Sequence, residues 1–151
     1  MKMNEVQLKM KSLLSNLADG NIHYQINSAT KEQIDLFTNR AIENKIDPNV
    51  IKQLVELYSV ANSFYYEIII GFHSCDDFTI FEWWNNKELW LGQRDFNTLR
   101  WANDKFCLGD ATNISFSEKY KFDTLIELIE GCIKDINEAD YFDKNYTNNN
   151  D

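Results

Sequence analysis

Chain breakers are scarce in this sequence: one proline and five glycines stand in 151 residues. That excludes collagen-like and Pro/Gly-rich low-complexity chains. Cysteine is also sparse: Cys75, Cys107 and Cys132 are odd in number, far apart and without a CxxC pair, so they are read as reduced thiols and not as a disulfide framework. With two histidines besides, the close ligand pairs of a structural zinc site are missing, and neither a metal nor any other cofactor is expected. No run approaches the roughly 20 apolar residues of a membrane span, and mean hydropathy is −0.47. The first twenty residues carry Lys2, Lys9 and Lys11 among Glu5, Gln7 and Asn16, without the unbroken apolar stretch of a secretory signal, so a cytoplasmic protein is expected.

Positive charge is the other shortage. Fifteen Lys and Arg face twenty-four Asp and Glu, a net charge of −9. Such a chain repels phosphate backbones, and nucleic-acid binding is not expected. The imbalance grows along the chain, from net 0 over residues 1–63 to −3 over 64–122 and −6 over 123–151.

Apolar residues are plentiful, at 44% with ten Phe, seven Tyr and four Trp, enough for a substantial core. Met3, Val6, Met10, Leu13, Leu14 and Leu17 keep helical spacing and predict a helix over about 4–18, with Gly20 as its stop. Residues 21–27 alternate weakly and read as a small strand or a linker. Thr30 with Gln33 is a capping box opening a second helix, to about Asn44. Asp47-Pro48 opens a third, because Asp caps and Pro at the first helical position loses only an N–H that had no partner.

From Phe64 the period changes to two. Strands are predicted at 67–72, 78–84, 88–91, 98–102 and 105–108, paired antiparallel through hairpins at Asn85–Lys87 and Asn103-Asp104. Phe122, Leu125, Ile126, Ile129, Ile133 and Ile136 then predict a last helix behind Asp123 as N-cap, followed by an Asn-rich tail, read as disordered over 142–151. The fold class is α+β: one domain over 1–151, an antiparallel sheet of five or six strands flanked by helices on both sides of it in sequence.

His73-Ser74-Cys75-Asp76-Asp77 gathers a base, a thiol and two carboxylates, the one catalytic inventory in the chain. A Cys75/His73 hydrolase would need the fold to bring the two together, and a polar turn is the favoured reading. Gly92-Gln93-Arg94-Asp95 and Gly109-Asp110 match no phosphate-cradle motif and read as turn glycines. Alternation places Phe81, Trp83, Leu89, Leu91, Leu99, Trp101, Phe106 and Leu108 on the helix-covered face. The other face receives Ile80, Glu82, Trp84, Glu88, Trp90 and Arg100. Tryptophan among carboxylates on an open sheet face has the composition of a protein-binding patch, so Asp76, Asp77, Glu82, Trp84, Glu88, Trp90 and Arg100 are the candidate partner-binding residues. Cover of Trp84 or Trp90 by a loop such as 113–121 is the alternative.

Thr30-Lys31-Glu32-Gln33-Ile34 opening one helix, Asp47-Pro48 opening a second that ends Tyr58-Ser59-Val60-Ala61-Asn62, then a sheet closing on Leu108-Gly109-Asp110, then a helix from Phe122-Asp123-Thr124-Leu125: this order resembles the SUKH superfamily. Asp47-Pro48 stands where that family often has Leu-Pro, and Asn62-Ser63 where it often has Asn-Gly. The resemblance covers about residues 30–136, leaving 1–29 as an N-terminal helix and linker. It implies a small α+β binding domain of the kind found as immunity proteins in bacterial polymorphic toxin systems and, in fungi, as cell-wall regulators, with no shared catalytic residues. A cytosolic module that neutralises a cognate protein toxin is therefore expected, a nuclease being one candidate since basic active-site clefts suit an acidic inhibitor. A regulatory adaptor for another partner is the alternative.

Overall fold

The computed structural model describes residues 2–17, 26–67, 69–110 and 118–149, with side chains from 139 onward and that of residue 118 excepted. Its elements are α1 (Glu5–Leu17), α2 (Lys31–Glu43), α3 (Pro48–Val60), β1 (Tyr65–Tyr66), β2 (Ile70–Phe72), β3 (Leu89–Arg94), β4 (Asn97–Ala102), β5 (Lys105–Gly109), β6 (Lys121–Phe122) and α4 (Leu125–Asn149). The six strands form one antiparallel sheet in sequence order, the meander expected for an α+β chain. Among the described residues no helix is long and apolar enough to cross a membrane.

Each helix begins where local chemistry satisfies its free N–H groups. Asn4 and Gln7 cap α1 reciprocally, at 2.8 and 3.0 Å. Thr30 and Gln33 form the expected box on α2, and the Asp47 carboxylate accepts from Asn49 N at 2.7 Å on α3. For α4 the cap is Thr124, which accepts from Glu127 N. Asp123, predicted for that role, instead pairs with Lys105. The backbone of α4 runs on to Asn149, across most of the segment read as a tail.

One sheet face meets the helices. Leu89, Leu91, Leu99, Phe106 and Leu108 share a core with Met10, Leu14, Phe37, Leu54, Leu57, Leu128 and Ile129. α3 is the most buried helix, and even its polar positions work inward: Gln53 Oε1 accepts from Leu125 N at 2.9 Å and Glu56 takes the Asn4 amide at 2.6 Å. Tyr58 packs edge-on against Phe37 at 5.0 Å, yet its hydroxyl is buried without a partner among the described residues. An unpaired buried hydroxyl costs folding energy, so Tyr58→Phe is expected to stabilise the domain by about 1 kcal/mol. Urea unfolding checks this, and a less stable variant would mean the hydroxyl has a partner.

The structure corrects the strand reading in several places, the first being the strand expected over 67–72, which starts only at Ile70 and pairs with the separate strand β1, with Glu67 between them at φ 52°. Residues 78–84 are not a strand: two 3-10 turns, Phe78–Phe81 and Trp84–Asn86, lie there. The Asp77 carboxylate accepts from Thr79 N at 2.9 Å and starts the first. The residues facing inward are Ile80, Phe81 and Trp84, a helical and not an alternating spacing. The expected hairpin at Asn85–Lys87 is accordingly the end of the second turn, with Lys87 at φ 63°. Gly92 and Gly109 lie within strands, not turns, and the β3–β4 hairpin turns at Asp95, φ 54°. The Asn103-Asp104 hairpin stands where it was expected, both residues at positive φ.

Candidate partner-binding site

The far face of the sheet is built by cross-strand pairing. Trp90 of β3 lies opposite Arg100 of β4, which lies opposite Cys107 of β5, which lies opposite Lys121 of β6. Leu91 is an extra residue between the Trp90 and Gly92 pairings, a bulge that shifts the phase of β3 so that Gly92 and not Leu91 lies opposite the core residue Leu99. Arg100 is only 2% exposed. Its guanidinium is held on every side: Nε donates to Thr98 Oγ1 at 2.6 Å, Nη1 to Glu88 Oε1 at 2.8 Å and Nη2 to the Asp110 carbonyl. It also lies 4.5 Å from the centre of the Trp90 ring, where the negative π face attracts a cation.

Trp83 completes this cluster from outside the sheet. Its ring stacks on Trp90 at 5.1 Å and 27°, its carbonyl accepts from Glu88 N, and it remains 40% exposed. An aromatic side chain that is both fixed and exposed carries binding energy with little ordering cost. Glu82, its neighbour in sequence, is exposed. Trp84 points the other way: its indole N–H donates to Asn44 O at 2.8 Å and its ring stacks on Trp101 at 6.3 Å.

The same connection between β2 and β3 carries the acidic pair. Asp76 accepts from Ser74 and from Gln33 Nε2, and these hydrogen bonds, that from Ser74 first, hold its carboxyl below the usual range. Asp77 is likewise low, through the Thr79 N–H and hydroxyl and then His73. Beside them Phe78, 73% exposed, lies under the Arg40 guanidinium at 4.3 Å.

The seven predicted residues thus fall in three places. Glu88, Trp90 and Arg100 meet on the far face as expected, but Arg100 is buried and Glu88, half-buried, is turned in to pair with it, so they support a surface more than they form one. Asp76, Asp77 and Glu82 sit on the connection. Trp84 belongs with the core side, and Trp83, predicted as core, takes its place outside. Phe78 was missed as a candidate, although Asp77-x-Thr79 marks a cap that would have turned it outward. The alternative cover by residues 113–121 falls mostly outside the described residues.

No nucleophile is prepared at Cys75. Burial, followed by the Asp76 charge, pushes its thiol up to about 11, and its backbone N–H is spent on Asn62 Oδ1 at 2.8 Å. His73 Nδ1 faces the Tyr65 hydroxyl at 2.8 Å and Asp77 at 3.7 Å. A working thiolate needs the opposite shift. Cys107 and Cys132 are buried too, and burial lifts them to about 11 and about 12. Folding therefore favours the neutral thiols: their stabilisation is full below the ordinary thiol value and is lost as pH rises through these higher ones. All three should resist a thiol reagent at pH 8 and react together on unfolding. Rapid labelling of any one in the folded protein would show that it is accessible.

Among the described residues no group of three His, Cys, Asp or Glu is placed to hold a metal ion. No family model, curated protein or solved structure matches the chain.

Proposed function

We propose that this chain is a protein-binding module that neutralises a cognate toxin by docking on it, as the SUKH resemblance implies. The observation that carries the reading is Trp83, exposed yet held against Trp90 over the buried Arg100 and its half-buried partner Glu88. Exposed carboxylates at Asp76 and Glu82 and a net charge of −9 favour a basic partner.

The test is growth rescue and binding kinetics with the product of the adjacent gene. Trp83→Ala is expected to raise the dissociation rate by about 30-fold, as loss of a hot spot of about 2 kcal/mol would. Glu82→Lys with Asp76→Lys should slow association at low salt and much less at high salt, because exposed charges act through a field screened over about 8–10 Å. Glu88 is unsuitable for charge reversal, since its loss would strand Arg100. Unchanged kinetics in both the Trp83→Ala variant and the Glu82→Lys/Asp76→Lys double variant would exclude this surface. Binding without rescue would make the protein a regulatory adaptor and not an immunity protein.

A further inference from the structure

Trp90 already binds one cation. The Arg100 guanidinium lies against its ring, and Trp83 stacks on the same ring. Cation, indole and indole are thus in continuous contact, and the run ends on the exposed part of Trp83. A cation placed there meets the negative π face of an indole whose neighbours are acidic. Glu82 adjoins it in the chain and is exposed. Glu88 is tied to it through the backbone bond to the Trp83 carbonyl, and its bond to Arg100 engages Oε1. Lys87, the nearest basic residue in sequence, lies over Trp84 instead, 5.0 Å from that ring.

Resting on the docking role given above, we propose that Trp83 is the seat of an arginine side chain of the partner protein, its guanidinium laid on the indole and its N–H groups shared with the Glu82 carboxylate. Arginine fits better than lysine because a planar guanidinium stacks on a ring while presenting its donors sideways, in the plane, to a carboxylate. An ammonium group has no such plane. The internal pair repeats the arrangement: Arg100 lies on Trp90 while donating to Glu88.

The test uses the full chain and short peptides with a central arginine, lysine or citrulline, followed by NMR of the tryptophan indole N–H signals, with Trp83→Phe and Trp83→Leu assigning the Trp83 signal. The arginine peptide should shift the Trp83 signal saturably, and the uncharged citrulline peptide should bind at least about tenfold more weakly. Lysine should fall between them. Glu82→Gln should weaken the arginine peptide several-fold, whereas Glu5→Gln, an equal change in net charge on α1, should leave it unchanged. Followed through the line widths and shifts of the arginine peptide's own signals, because these variants lack the Trp83 indole, Trp83→Phe should retain part of the binding and Trp83→Leu none, with unfolding midpoints confirming that both variants are folded. Equal binding of the citrulline peptide, equal weakening by Glu5→Gln, or no saturable shift up to the solubility limit would each overturn the assignment. Its failure is separable from that of the docking role. If arginine peptides fail while Trp83→Ala still abolishes growth rescue, Trp83 is an anchor for another group. If rescue survives Trp83→Ala, docking through this residue falls as well.

Discussion

Glu88→Ala is expected to lower the unfolding free energy by about 3 kcal/mol or more, the range for removing one partner of a buried ion pair. Arg100 cannot escape to water: it is 2% exposed and lies in the middle strand of three, between Trp90 and Cys107. Its remaining bonds, to Thr98 and the Asp110 carbonyl, are to neutral acceptors. The cost is the stranded charge and not the worth of the pair, and the two can be separated. In a Glu88→Leu/Arg100→Met double variant neither charge is buried, and such replacements are often close to neutral, so stability should return to within about 1–2 kcal/mol of the parent. Urea unfolding followed by tryptophan fluorescence gives both numbers. If the single variant melts like the parent, Arg100 is solvated and the far face is open. If the double variant is no better than the single, the loss comes from packing around Trp90.

That buried pair was half legible in the sequence. Alternation put Trp90 and Arg100, with Glu88 just ahead of β3, on one face correctly, because period two holds along β3 up to the bulge at Leu91 and all along β4. What the pattern lacked was burial, since an Arg and a Glu on a sheet face opposite the helices look like solvent-facing residues. The largest misreading, at 78–84, has a related cause. β-Branched and aromatic residues mark positions that suit a half-buried surface, and the residues Phe78-Thr79-Ile80-Phe81 find one without being paired in a sheet. Here the chain leaves β2, folds over the end of the core through Ile80 and Phe81, and returns to β3. Taking that connection as a strand exchanged the roles of Trp83 and Trp84, and with them the exposed and the covered indole. The helix starts were read well for the opposite reason: Thr30 with Gln33 and Asp47 with Pro48 act within three residues, and no tertiary contact can overrule the N–H groups they satisfy. Asn103-Asp104 is equally local. The bulge at Leu91 is not, since an extra residue is defined only against the partner strand.

Gly92 shows the consequence of such a non-local constraint, and Gly92→Ala is expected to be the most damaging glycine substitution in the sheet. A Cβ at Gly92 would lie 1.9 Å from the Gly71 carbonyl oxygen and 2.9 Å from both Gly71 C and Phe72 Cα. All three are backbone atoms of the paired strand, so no rotamer change relieves the overlap. The position requires room and not a special φ. Gly71 is tighter by distance to some atoms but softer in kind: its Cβ would meet the Tyr65 ring at 2.0 Å, and that ring can swing out at the loss of its hydrogen bond to His73. Gly131 is softer again, meeting the Phe122 ring at 2.7 Å, while alanine in mid-helix returns about 1 kcal/mol of helix propensity. The expected order of destabilisation is Gly92→Ala, then Gly71→Ala, then Gly131→Ala, with the first at about 3 kcal/mol or more, at or beyond the usual upper range for overpacking. Because β2 must move away from β3, amide exchange should accelerate first at the His73 and Asp95 N–H groups, which bond across this junction to the Leu91 and Ile69 carbonyls. The connection carrying Trp83 begins at that same junction, so its stacking on Trp90 should loosen with it. A Gly92→Ala protein with parental stability and parental exchange would show that β2 and β3 do not approach this closely, and the support for Trp83 would have to come from its own turn alone.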